Sequence, residues 1–138
     1  MSSLPTLDQR RSKHAWEAVT SFAKIAANGK RTYGEDAKEY AREAKKLPAR
    51  IITAGLGPSL AFIKSKAKEK KPNLNRLHDH LTNWVLVKCP VPGKVPDSLL
   101  LSIIEGDSDF LRRATAESLA YLQWLVRFAD AEGLTEGE

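Results

Sequence analysis

Apolar residues recur at three- and four-residue spacing along nearly the whole chain, the period of α-helices with one buried face. Ala15, Trp16, Val19, Phe22, Ala23 and Ala26 predict a first helix from about Leu7 to Ala27, which Asn28–Gly29 ends. Tyr33, Ala37, Tyr40, Ala41 and Ala44 predict a second over roughly Gly34–Lys46. Pro48 suits the first turn of a short third helix, where its missing N–H goes unused, and Gly55 stops it. Pro58 opens a fourth through about Lys70, and Pro72–Asn73 separates that from a fifth, Leu74 to about Val87. Leu77, Leu81, Trp84 and Val85 share one side of the fifth. Residues 89–97, CPVPGKVPD, form the one obvious loop. A short helix from about Ser98 to Glu105 and a long one from about Asp109 to Glu132 follow, and the tail 133–138 is expected to be frayed. No strand pattern competes and no long period repeats, so the expected fold is an all-α, single-domain bundle of six to seven helices.

The last helix carries more apolar surface than a surface helix needs. At about 100° per residue, Leu111, Leu122, Leu125 and Ala129 centre one face, with Leu119 and Val126 beside it. Phe110, Ala114, Tyr121, Trp124 and Phe128 make an adjoining aromatic face. Either this helix is the centre of the bundle, or its aromatic side also packs on another subunit, with Trp124 and Phe128 as anchors. The third face sets Arg112, Arg113 and Arg127 around Ala116 and Ala120. Guanidinium groups beside small residues suit a phosphate backbone, although a plain solvated face reads the same way.

Charge sharpens the picture because it is uneven. The 138 residues carry 22 Lys/Arg and 17 Asp/Glu, a net +5. Residues 1–80 hold +9 of this and residues 81–138 hold −4. Glu35, Glu39 and Glu43 each precede a Lys or Arg by three residues, the spacing of intrahelical ion pairs. Lys45, Lys46 and Arg50 have few acidic neighbours in sequence, and Lys64, Lys66, Lys68, Lys70 and Lys71 have only Glu69 among them. This is the densest positive run, and it reads as a polyanion-binding arc or as a solubilising helix end.

Catalytic readings find little to hold. His78 and His80, two apart on a helix, project about 200° apart and cannot chelate one metal. Cys89 is the one cysteine, so neither an internal disulfide nor a zinc set is available, and its proline-rich setting suggests a loop thiol. Gly55–Leu56–Gly57 lacks the Gly-Lys-Ser/Thr of a phosphate loop. Residues 48–68 look like a helix–turn–helix. Leu60, Ala61, Phe62 and Ile63, however, belong in a core, where a DNA-reading helix needs polar side chains. No enzyme, cofactor or metal is expected. Nor is a membrane segment, since no apolar run nears the roughly 20 residues that span a bilayer. The cytoplasm is the default compartment.

Three stretches in order carry a family likeness: Lys46-Leu47-Pro48; the Gly55-Leu56 turn with Leu60-Ala61-Phe62; and AESLAYLQW, Ala116 to Trp124. Together they resemble the small, all-helical subunit of type III-B CRISPR (Cmr) effector complexes, over roughly Asp8 to Ala131. The resemblance implies a non-enzymatic subunit present in several copies, stacked end to end beside a filament of larger backbone subunits that grip the guide RNA. The target RNA, paired to the guide, lies between the two filaments, and other subunits do the chemistry. The implied partners are the backbone and large subunits, further copies of itself, and guide and target RNA. The family has no short signature for RNA contact, so charge must choose the residues. Lys45, Lys46, Arg50, Lys64 and Lys68, with Arg112 and Arg113, are the expected RNA-binding surface. Trp124 and Phe128 are the expected subunit contact. The competing function is a helical adaptor or oligomerising module whose basic patch meets an acidic protein.

Overall fold

Thr6 starts the first helix with a capping box: its hydroxyl accepts the Gln9 N–H at 3.0 Å and its own N–H donates to the Gln9 side chain at 2.7 Å. The computed structural model describes residues 3–88 and 98–136, so the expected 89–97 loop, Cys89 included, lies outside the described residues. Helix α1 runs Leu7–Thr20 and stops seven residues short of the Ala27 that the periodicity predicts. A small hairpin replaces its last turns: β1 (Lys24–Ile25) pairs antiparallel with β2 (Arg31–Thr32). Leaving the helix lets Phe22 pack on Tyr40, ring centroids 4.7 Å apart, and brings Arg31 to Glu132 at 2.5 Å. These tertiary contacts override a periodicity whose final members, Ala23 and Ala26, never reach the core.

Helix α2 spans Glu35–Ala54 and passes straight through Pro48, merging the predicted second and third helices. A proline inside a helix costs about 3 kcal/mol. Ala44, Leu47 and Ile51, on one buried face either side of it, offset that cost. The break falls instead at Gly55, whose φ of 95° is open to glycine and strained for other residues. Helix α3 (Leu56–Glu69) follows at once, with Pro58 harmless in its first turn. Helix α4 (Leu74–Thr82) continues into a wider π-helical stretch, Asn83–Lys88. Ser98 caps α5 (Leu99–Glu105), and Asp107 caps α6 (Ser108–Ala131). Beyond α6, Gly133 adopts a φ of 75° and the Leu134 N–H returns to the Ala129 carbonyl at 2.9 Å. Leu134, within the tail expected to fray, is thereby buried.

The result is an all-α bundle with one minor hairpin. Helix α2 lies between α6 and α3; α1 covers α6, and α4 and α5 cover α3. The buried face of α6 is Phe110, Ala114, Glu117, Ser118, Tyr121, Leu122, Leu125 and Ala129. It is rotated toward the aromatic side, so Leu111, placed at the apolar centre by its spacing, is exposed. Glu117 is the unexpected member. It accepts from Arg11 at 2.5 and 2.8 Å and from the Trp84 indole at 2.8 Å, tying α1 and the π-helical stretch to α6. His14 adds a second tie, 2.6 Å from the Tyr121 hydroxyl and 2.7 Å from Asn83 Oδ1.

Candidate nucleic-acid interface

Because α2 and α3 join at Gly55 without a loop, the last turns of one face the first turns of the other. Glu43 of α2 falls among Tyr40, Ala44 and Leu47 and is 2% exposed. Its carboxylate accepts from Arg50, two turns on, and from Lys66 of α3 at 3.4 Å. Burial pushes its pKa up, but hydrogen bonds and charge from Arg50 and Lys66 prevail and hold it below the usual range. The predicted Glu43–Lys46 pair gives way to these two longer-range partners. Both cations also lie against Phe62, the guanidinium carbon 4.4 Å and the Lys66 ammonium 5.1 Å from the ring centre. Leu60 and Ile63 are core, as their pattern predicts, whereas Ala61 and Phe62 are exposed.

The lysines of α3 form two rows. Alternate residues step about 200° around a helix, so Lys64 and Lys68 take one shoulder and Lys66 the other, while Lys70 lies past the helix end. Between them the outward crest is Ala61 and Ser65, both exposed and small, with Glu69 one turn beyond. Lys46 stands one turn before Arg50 on α2, also exposed. Among the described residues, Lys46, Lys64 and Lys68 make no ion pair.

The remaining predicted cations have acidic partners, one on a distant helix and one a single turn away in sequence. Lys45 lies 3.8 Å from Asp130 of α6, and Arg112 and Arg113 share Asp109 at 2.6 and 2.9 Å. No ion pair or hydrogen bond among the described residues carries these two arginines to the α2–α3 cluster. Trp124 and Phe128 stack on each other, centroids 5.6 Å apart, at the seam between α1 and α6. The Trp124 indole donates to Asp8 at 3.0 Å, and Phe128 meets the edge of Trp16. Both are partly buried. Trp124 also walls a surface groove of about 620 Å³ with Pro48, Leu122 and Val126, rimmed by Lys45 and Arg127.

Residues 7–132 match the family described as CRISPR-associated protein (Cas_Cmr5). The chain belongs to the Cmr5 family. A crystal structure of a CRISPR-associated Cmr5 family protein from Thermus thermophilus is similar throughout. It is 30% identical, superposes with a TM-score of 0.69, and the match covers 92% of this chain and 97% of that one. Cmr5 proteins are small subunits of type III-B Cmr complexes, as the resemblance implied. Membership implies association with the other Cmr subunits.

The two histidines of α4 serve the Cmr5 core. His80 Nδ1 sits 2.6 Å from the Tyr40 hydroxyl, and His78 Nε2 accepts the Leu100 N–H at 3.4 Å. Burial, aided by the nearby Arg76 and His14 charges, pushes the His80 pKa down to about 4. Burial and the Lys64 charge lower His78 as well. No helix among the described residues is long and apolar enough to cross a membrane. Sequence reasoning missed Glu43 and Glu117 as organising residues. The signal was present: each is a lone carboxylate inside an otherwise apolar helical stripe, where only a cation or strong donor makes it tolerable.

Proposed function

We propose that this chain is a non-catalytic subunit that stacks with copies of itself and steadies guide–target RNA through phosphate contacts on the α2–α3 hairpin. The observation that carries the reading is the α3 crest. Small residues Ala61 and Ser65 allow close approach, and lysines stand on both shoulders. A strand laid along that crest meets Lys64 and Lys68 on one side and Lys66 on the other, and Lys46 stands exposed on α2. Such contacts read charge and shape, which suits a target of any sequence when the guide supplies specificity. Lys45, Arg50, Lys66, Arg112 and Arg113 join this surface with less force, because each must exchange a carboxylate for a phosphate. The groove walled by Trp124, on which Phe128 stacks, is the subunit contact in this reading, an aromatic wall with a charged rim.

The test is charge reversal at Lys46, Lys64 and Lys68 together in the reconstituted complex. Co-purification of the other subunits should persist while target RNA affinity falls at least about tenfold at moderate salt. Loss of assembly with RNA affinity intact would favour the adaptor reading instead.

A further inference from the structure

Phe62 is 42% exposed, which is unremarkable for one aromatic residue. Its surroundings are not. Arg50 and Lys66 come from different helices, lie against the same ring, and bind the same buried carboxylate. Burying an acid is costly, and Glu43 offsets that cost with partners that remain partly exposed, at 29% and 28% of their side-chain surface. The acid is hidden, so the cluster offers a partner only a ring, a planar guanidinium and an ammonium. These are the groups that hold a nucleotide: π-faces stack bases, and cations take phosphate.

We propose that Phe62, Arg50 and Lys66 form a seat for one unpaired nucleotide, with the base stacked on the Phe62–Arg50 pair and the phosphate on Lys66. Glu43 is the positioning residue that holds both cations. A base inside a duplex is already stacked on its neighbours, so the seat takes a nucleotide outside the pairing. Stacking uses a face that every base has, so the seat is indifferent to sequence. This inference rests on the RNA reading above but asks more of it: a response to the base, not only to the phosphate.

The seat lies within one chain, so the free full-length protein suffices for the test. At low salt, binding of a labelled single-stranded uridine 12-mer (about 12 nucleotides lies within the site sizes usual for single-strand binding surfaces) is compared with the same oligomer made abasic. The wild type should prefer the base-bearing RNA by about tenfold. Phe62→Leu should abolish the preference without moving the melting temperature, Phe62→Tyr should retain it, and Glu43→Gln should narrow it. Equal affinity for the two oligomers, no binding to either, or a preference that survives Phe62→Leu overturns the seat. If the oligomers bind equally but charge reversal at Lys64 and Lys68 still weakens RNA capture by the complex, the phosphate reading stands alone. If that reversal is also silent, both fail.

Discussion

Glu43 and Glu117 are both carboxylates set in an apolar helical stripe, both buried, and both held by arginine. They differ in what stands around them. Glu117 is enclosed by Arg11, at 17% side-chain exposure, and by the buried Trp84, and it joins three segments of the bundle. Glu43 joins α2 to α3 through cations that keep more than a quarter of their side chains in solvent. A buried acid with buried partners is an internal tie; one with exposed partners arranges a surface. The contrast sets an internal tie at the α1–α6 seam against a cluster of partly exposed cations on the α2–α3 hairpin.

Replacing the two acids should widen that contrast. Glu117→Ala leaves Arg11 and the Trp84 indole without their acceptor and should cost about 3–5 kcal/mol of unfolding free energy. Glu43→Ala should cost less, about 1–2 kcal/mol, because water can reach Arg50 and Lys66. Chemical denaturation measures both, and equal losses would erase the distinction.

Acid should act on the bundle before it acts on Glu43. His80 is depressed to about 4 in the folded chain against 6.5 unfolded, so the unfolded state binds the extra proton between those values. Its contribution is complete above pH 6.5 and lost as the pH falls toward 4, about 3 kcal/mol at most. Melting temperature should therefore decline across that window, and His80→Gln should flatten the slope. Glu43, lowered from its ordinary 4.5, withdraws its contribution only below that value. The smallest effect belongs to the exposed α6 pairs. Arg112→Ala with Arg113→Ala should leave the melting temperature unchanged, since both arginines and Asp109 sit in solvent.

Much of this architecture was legible from periodicity. The helical pattern from Leu56 to Lys66 and from Phe110 to Ala129 reflects faces that are in fact buried, and Lys64 and Lys68 of α3 are as exposed as their spacing suggests. Local rules failed where distant residues decided. Pro48 reads as a helix start until the burial of Leu47 and Ile51 on a common face is known. Phe22 extends a helical pattern but is drawn out of it by Tyr40, across the bundle. Arg50 and Lys45 have few acids nearby in sequence, yet Glu43 lies two helical turns away and Asp130 lies on another helix. Phe62 reads as core because apolar neighbours flank it, and only the α2–α3 packing shows it turned outward.

The central claim is that the α3 crest carries more of the RNA backbone contact than the arginine face of α6. Its most direct test is the salt dependence of target RNA binding by the reconstituted complex, compared for Lys64→Ala/Lys68→Ala and Arg112→Ala/Arg113→Ala. Each lost phosphate contact removes about 0.7–0.9 from the slope of log affinity against log salt. The account predicts a slope shallower by about 1.5 for the lysine variant and a change well under that for the arginine variant. The reverse order, or two slopes indistinguishable from wild type, would contradict it.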